Sequence, residues 1–181
     1  MPIVVCNRRK SIQNIEKEYP NCQIIDVTSK ATDDYVKFSP FYPIGNIPIP
    51  FTESRFSESV EGIWQGLKVF KDHGIDESKF LITNMKNLKR TVRKYGGVLG
   101  HQKGIGTSAE LLDYYNARIN IYVPSYEFVL KNHLSDLITE LKSISATKTL
   151  VLLDYETNTD LTNISKPLSH AGLIKSFIEN N

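Results

Sequence analysis

Cysteine, tryptophan and methionine are scarce: the 181 residues include two Cys, two Met and one Trp. Cys6 and Cys22 both lie in apolar-flanked stretches. That points to reduced core residues and argues against a disulfide framework, a metal site or a nucleophile. No His-x3-His or Cys-x2-Cys spacing occurs, so neither a metal nor a cofactor is expected. Long apolar runs are also missing. Nothing approaches the roughly twenty residues of a membrane span, and the apolar opening stretch is too short for a signal peptide. A soluble, cytoplasmic protein with no membrane partner is expected. A large excess of one charge is absent too: the formal net charge of +2 does not by itself announce nucleic-acid binding. There is no Walker A sequence, no glycine fingerprint after a strand and no internal repeat.

What is present is enough for a core. Hydrophobic residues make up 40% of the chain, and its length suits a single domain over 1–181. The periodicity predicts a central helix over 58–72, with Ser57 or Ser59 as its N-cap. Val60, Ile63, Trp64, Leu67 and Phe70 recur at helical spacing and form one apolar face. Glu61, Gln65 and Lys68 form a stripe beside it, with a carboxylate, an amide and an amine on successive turns. Such a stripe is either a solvated face or a set of groups that reach one bound molecule.

Upstream, residues 38–50 hold four prolines and three aromatics. Proline fixes φ and removes donors, so this segment reads as stiff and extended, suited to walling a ligand. The two stretches together resemble the NADAR family, associated with NAD and ADP-ribose. Ser39, Phe41 and Tyr42 look like its Ser-x-Phe-type segment. Ser59, Glu61, Gln65 and Lys68 look like its helix of the form Ser-x-Glu-x3-Gln-x2-Lys. Gly62 stands where that family commonly has His, and the chain has no Trp-Gly-x-Gly stretch near its C-terminus. The resemblance implies hydrolysis of an N-glycosidic bond in an ADP-ribose-like or other nucleotide-derived substrate. For that reaction Glu61 could stabilise the cationic sugar or act as acid or base, and Lys68 could attack the anomeric carbon, so these two are the expected catalytic residues.

The rest of the chain reads as alternating short elements. A strand at 3–6, a helix from Arg8 to Tyr19 with Ile12 and Ile15 inward, and a strand at 22–27 suggest a βαβ unit. The basic cluster Arg8, Arg9 and Lys10 follows the first strand, where α/β proteins often place ligand loops. The stretch 85–95 predicts a helix with a basic face of Lys86, Lys89, Arg90, Arg93 and Lys94. A glycine loop over 97–106 with His101 and Lys103 follows, and the two together suggest phosphate binding. A helix over 107–118 with Ser108 as cap, a strand over 119–123 and a helix over 127–141 come next. Tyr114, Tyr115, Arg118, Tyr122 and Tyr126 are either packing or a base-stacking cluster. Residues 148–154 predict the central strand, with Asp154 at its end, and His170 sits in a loop entering a helix over 169–179.

The expected fold is a helix-rich α+β or α/β domain with a small central sheet. The expected catalytic residues are Glu61 and Lys68. Ser39, Phe41, Tyr42, Trp64, Gln65, Arg90, Arg93, His101, Lys103, Asp154 and His170 are the expected substrate contacts. The partner is a nucleotide, or an ADP-ribosylated small molecule or nucleic acid. One alternative is a non-catalytic nucleotide or nucleic-acid binder that uses a basic helix over 86–94. Another is a structural or inhibitory protein that docks through the proline-rich loop.

Overall fold

In the computed structural model, residues 1–106 and 110–181 are described. The fold is α+β, with short helices and small sheets. β1 (Ile3–Asn7) leads into α1 (Ile12–Glu18), which Ser11 caps, and then β2 (Gln23–Asp26). A 3-10 turn (Asp34–Phe38) follows. The proline-rich segment carries β3 (Ile47–Pro48), which pairs with β4 (Phe56–Ser57). Next come α2 (Val60–Gly66), β5 (Lys68–Phe70), a 3-10 turn (Glu77–Leu81) and α3 (Val92–Tyr95). After β6 (Val98–Gln102) and β7 (Leu111–Leu112), the chain stays helical through α4 (Tyr114–Ala117), a π-helical turn (Arg118–Tyr122) and α5 (Val123–Asn132). α6 (Ser135–Thr147), β8 (Leu150–Asp154) and α7 (His170–Asn180) complete it.

The chain forms two compact units, one of residues 1–39 with 130–181 and one of 40–129. The first unit holds a three-stranded parallel sheet in the order β1-β8-β2. All five residues of β8 are buried, as its unbroken apolar run requires of a strand covered on both faces. The expected βαβ unit is present with a difference: β8 lies between β1 and β2 and pairs with both. Ile15 of α1 packs with Cys6, Val151 and Leu153. Ile12 is exposed rather than inward, because the helix starts there, later than expected. Both cysteines are free.

The second unit is built around α2. Val60, Ile63, Leu67 and Phe70 are all buried, as the apolar spacing predicts. The helix itself is shorter than the expected 58–72: it ends at Gly66, and Lys68 to Phe70 pair with β6 instead. Two glycines in seven residues weaken the helix, while Val69 and Phe70 suit a pleated strand. Gly66 is there because Phe80 packs directly on it. A Cβ at this position would lie 2.2 Å from the Phe80 ring.

Other expected elements differ as well, and the helix expected over 127–141 is divided between α5 and α6. The helix over 85–95 shrinks to α3. Asn87 has φ +60°, the side chain of Asn84 accepts from the Lys86 amide, and the Arg90 amide turns away to the Gln65 side chain. Local side-chain bonds of this kind compete with helix formation. The expected glycine loop over 97–106 is partly strand β6. The strand expected over 119–123 is the π-helical turn, and the helix before it begins only at Tyr114, with Asp113 capping the Asn116 amide. The expected Ser108 cap lies outside the described residues. Among the described residues, no helix is long and apolar enough to cross a membrane.

Gly66→Ala tests the α2 packing. It is expected to cost about 1–3 kcal/mol in urea unfolding, the usual penalty of overpacking. Gly74→Ala, where an added Cβ meets nothing within 4 Å, is expected to be near neutral.

Candidate functional site

Ser59 accepts a hydrogen bond from the Gly62 amide at 3.0 Å and so starts α2. The Glu61 amide donates to the Pro40 carbonyl at 2.8 Å, which ties the helix start to the proline-rich segment. Glu61 is buried, and its Oε1 accepts from Gln65 Nε2 at 2.8 Å. Gln65 Oε1 in turn accepts from Lys68 Nζ at 3.1 Å and from the Arg90 amide at 2.8 Å. One amide therefore bridges a carboxyl group and an amine. Lys68 is off the helix, on β5, but the bend after Gly66 returns its side chain to Gln65. The stripe read from helical spacing is real as a constellation, although its last member sits on a strand.

Burial pushes the Glu61 carboxyl up from its ordinary range, against the Gln65 bond and the attraction of Lys68 and Lys89. Burial also pushes the half-buried Lys68 amine down. Glu61 opposes this shift, and the Arg90 and Lys89 charges add to it. The acid thus holds its proton longer and the amine sheds its proton sooner, the direction that acid–base and nucleophilic work require. Lys89 Nζ lies 5.3 Å over the ring of half-buried Phe41. The cation that acts on the Glu61 carboxyl is therefore also the one that lies over Phe41. Tyr42 is half-buried in the same segment.

Trp64 projects from α2 and stacks on His101 of β6, with ring centres 3.7 Å apart. The edges of Tyr114 and Tyr122 close on Trp64 at 5.8 and 5.5 Å. Their spacing of eight depends on the π-helical turn. Two α-helical turns take about 7.2 residues, and one widened turn adds roughly one more, which brings both tyrosines to one face. Tyr114 also lies 4.9 Å from the Arg118 guanidinium. The aromatic cluster is therefore the setting of Trp64.

Several expected substrate contacts have other duties. Arg90 is buried, and its guanidinium donates to the carbonyls of Gln65, Lys68 and Gly74 at 3.3, 2.5 and 2.7 Å. It also stacks over Phe70 and Tyr95. It is a strut whose terminal nitrogens satisfy carbonyls at the C-terminal end of α2 and beyond, while its Nε is buried and without a hydrogen-bond partner among the described residues. His101 is buried beneath Trp64. Burial, with the Lys68 charge, pushes its pKa down to about 3, so it is a neutral ring and not a phosphate-binding cation. Lys103 pairs with Glu110 at 3.0 Å. It lines a surface depression of about 470 Å³ with Phe51, Leu112, Asn116 and Asn120; Glu61 is not among the lining residues. Arg93 is exposed on α3.

Ser39, Asp154 and His170 belong to the first unit. Ser39 is buried and ends the first 3-10 turn, where its amide bonds the Val36 carbonyl. Asp154 Oδ2 accepts from Ser169 Oγ at 2.7 Å and from the Ala171 amide at 3.3 Å, and lies 3.0 Å from His170 Nδ1. His170 Nε2 is 2.9 Å from the Val27 carbonyl. Both partners of the ring are acceptors, so the ring carries two protons and forms a buried ion pair with Asp154. Burial lowers the His170 pKa, but Asp154 more than reverses this and the net shift is upward. Burial raises that of Asp154, and His170 with the hydrogen-bond donors outweighs it, giving a net fall. The serine bonds the aspartate rather than the histidine, so this is a helix cap and not a nucleophilic triad.

Sequence reasoning missed the Trp64–His101 stack. Its signal lay in the pairing of β5 with β6, which sets Lys68 opposite His101. Residues 98–102 hold two glycine-flanked segments that read more readily as loop than as strand.

The chain belongs to a family of unknown function, DUF6939, whose profile matches residues 7–174. No curated protein and no solved structure matches it.

The Asp154–His170 pair gives a pH prediction. A lowered aspartate pKa stabilises the fold above the ordinary value of 3.8, and a raised histidine pKa stabilises it below 6.5. The pair's contribution is therefore greatest between those values and declines as pH rises through the folded histidine pKa. His170→Ala is expected to cost about 3 kcal/mol or more near pH 6, where it leaves a buried carboxylate unpaired. In urea unfolding, the difference from wild type should shrink as pH rises.

Proposed function

We propose that the chain is an N-glycosidase-type hydrolase that acts on an ADP-ribose-like or other nucleotide-derived substrate, through Glu61 and Lys68. The observation that carries this reading is the hydrogen-bonded run Glu61–Gln65–Lys68, in which a buried acid and a half-buried amine flank one amide. The NADAR resemblance of residues 59–68 supplies the reaction class.

Cleavage of the C1′–N bond leaves its electron pair on the departing base and positive charge on the sugar. Glu61, whose proton burial helps to retain, donates it to the base. Water then adds to C1′ and returns a proton to the carboxylate. Alternatively, the Lys68 amine in its neutral form attacks C1′ as the C1′–N bond breaks, the base leaves with the electron pair and takes up a proton, and the resulting glycosylamine opens to an aldimine that water hydrolyses to the free sugar and the amine. Gln65 holds both groups in place, and Phe41 with Lys89 suits a base beside a phosphate. The binder alternative loses its chief support, because residues 86–91 form no helix and Arg90 is buried.

Glu61→Gln separates chemistry from binding. It is expected to lower kcat on such a substrate by roughly 10²–10⁴-fold while substrate affinity stays close to wild type. It also carries a stability signature. A folded-state carboxyl pKa above its unfolded value means that wild type loses stability as pH rises through that window. The neutral amide escapes this loss, so Glu61→Gln should unfold at a higher temperature than wild type at neutral pH. Full turnover by the variant would overturn the proposal.

Lys68→Arg addresses the amine. Guanidinium keeps the charge but is a poor nucleophile. Borohydride with an opened-ribose substrate is expected to add the sugar's mass to the Lys68 peptide of wild type only. A trapped adduct at another lysine would assign Lys68 to positioning.

A further inference from the structure

The carboxyl edge of the first unit's parallel sheet carries groups that neither the core nor the Glu61 cluster uses. β1 and β8 are parallel neighbours. Beyond β1 the chain enters α1, whose Ile15 packs on the sheet face of Cys6, Val151 and Leu153. Successive strand side chains point to opposite faces, so Asp154 faces away from Leu153. It is Asp154 that bonds Ser169 and Ala171 at the start of α7. The connections after these adjacent strands therefore depart to opposite faces. In open parallel sheets this arrangement opens a crevice at the carboxyl ends, the usual place for a ligand.

The crevice has a firm floor. The Arg8 amide donates to the Asp154 carbonyl at 2.8 Å, and Asn7 Nδ2 donates to the Tyr155 carbonyl at 2.8 Å. Above it, the guanidinium carbons of Arg8 and Arg9 lie 5.7 and 5.9 Å from the centre of the Tyr155 ring, which is 38% exposed. The neighbouring charges are mostly neutralised. Arg8 pairs with Asp26 at 2.6 Å, Lys10 with Glu18, and Asp154 with His170. Arg9 is exposed and makes no ion pair among the described residues. An unneutralised guanidinium thus stands beside a partly exposed tyrosine ring at a topological switch point.

We propose that this crevice binds a mononucleotide, with the phosphate on Arg9 and the base against Tyr155. A guanidinium fork matches phosphate oxygens, and a tyrosine face stacks on any base. A bare anion would leave the ring unused, and an apolar ligand would leave the cation unused. The site stands independently of the chemistry proposed for Glu61.

The test is calorimetric titration of the intact chain with adenosine monophosphate, adenosine and inorganic phosphate. The monophosphate is expected to bind, with adenosine and phosphate each at least about tenfold weaker. Arg9→Ala and Tyr155→Ala should each weaken it by roughly tenfold. Both substituted positions are at the surface, and an unchanged urea midpoint checks that the variants fold. No binding to wild type, or affinity indifferent to both crevice variants, overturns the proposal. Inorganic phosphate that binds as tightly as the nucleotide, with Tyr155→Ala silent, would reduce the crevice to an anion site and overturn it as well.

Discussion

The side-chain amide of Gln65 is the constraint on which the second unit depends. Its nitrogen holds Glu61, and its oxygen holds Lys68 and the backbone of Arg90. The Arg90 guanidinium then returns to the Gln65 and Lys68 carbonyls. A strand, a helix and an irregular segment are thus fastened at one residue. Buried networks of this kind are costly when incomplete, so a change at Gln65 orphans several groups at once. The amide also spaces the acid from the amine. A direct contact would favour the charged form of each, whereas one intervening amide lets burial dominate both.

The first unit was largely legible from pattern. The apolar runs of β1 and β8 announce their strands, because each reflects a local rule that burial reinforces, whereas α1 begins at Ile12 behind a Ser11 cap and not at Arg8. What could not be read was strand order. β8 comes over a hundred residues after β1 and β2, and nothing local in Leu150–Asp154 states that it inserts between them. Boundaries failed where tertiary contacts overrode propensity. Phe80 takes the space beside Gly66, and pairing with β6 draws Lys68 to Phe70 into a strand.

The candidate site was legible in its carboxylate and amide, which lie one helical turn apart on α2. The amine was placed correctly for the wrong reason, since a bend and not a helical turn returns Lys68 to Gln65. The basic stripe misled because a run of cations looks alike whether it faces water or carbonyl oxygens. Arg90 is held by three carbonyls and two rings, and none of these lies close to it in sequence except Tyr95. Asp154 was noticed at the end of a buried strand and His170 in the loop entering the last helix, and the two form an ion pair at the start of α7.

Trp64 is the sole tryptophan of the chain. Its indole lies against a neutral imidazole and between two phenol edges, on the helix that carries Glu61 and Gln65. Excited at the red edge of indole absorption, where the nine tyrosines do not absorb, the protein therefore emits from one chromophore at one address. Because His101 stays uncharged down to about pH 3, quenching by an imidazolium is absent from the signal across the working range. The molecule carries a built-in optical reporter whose changes in intensity or wavelength can be assigned to the surroundings of α2 without any label.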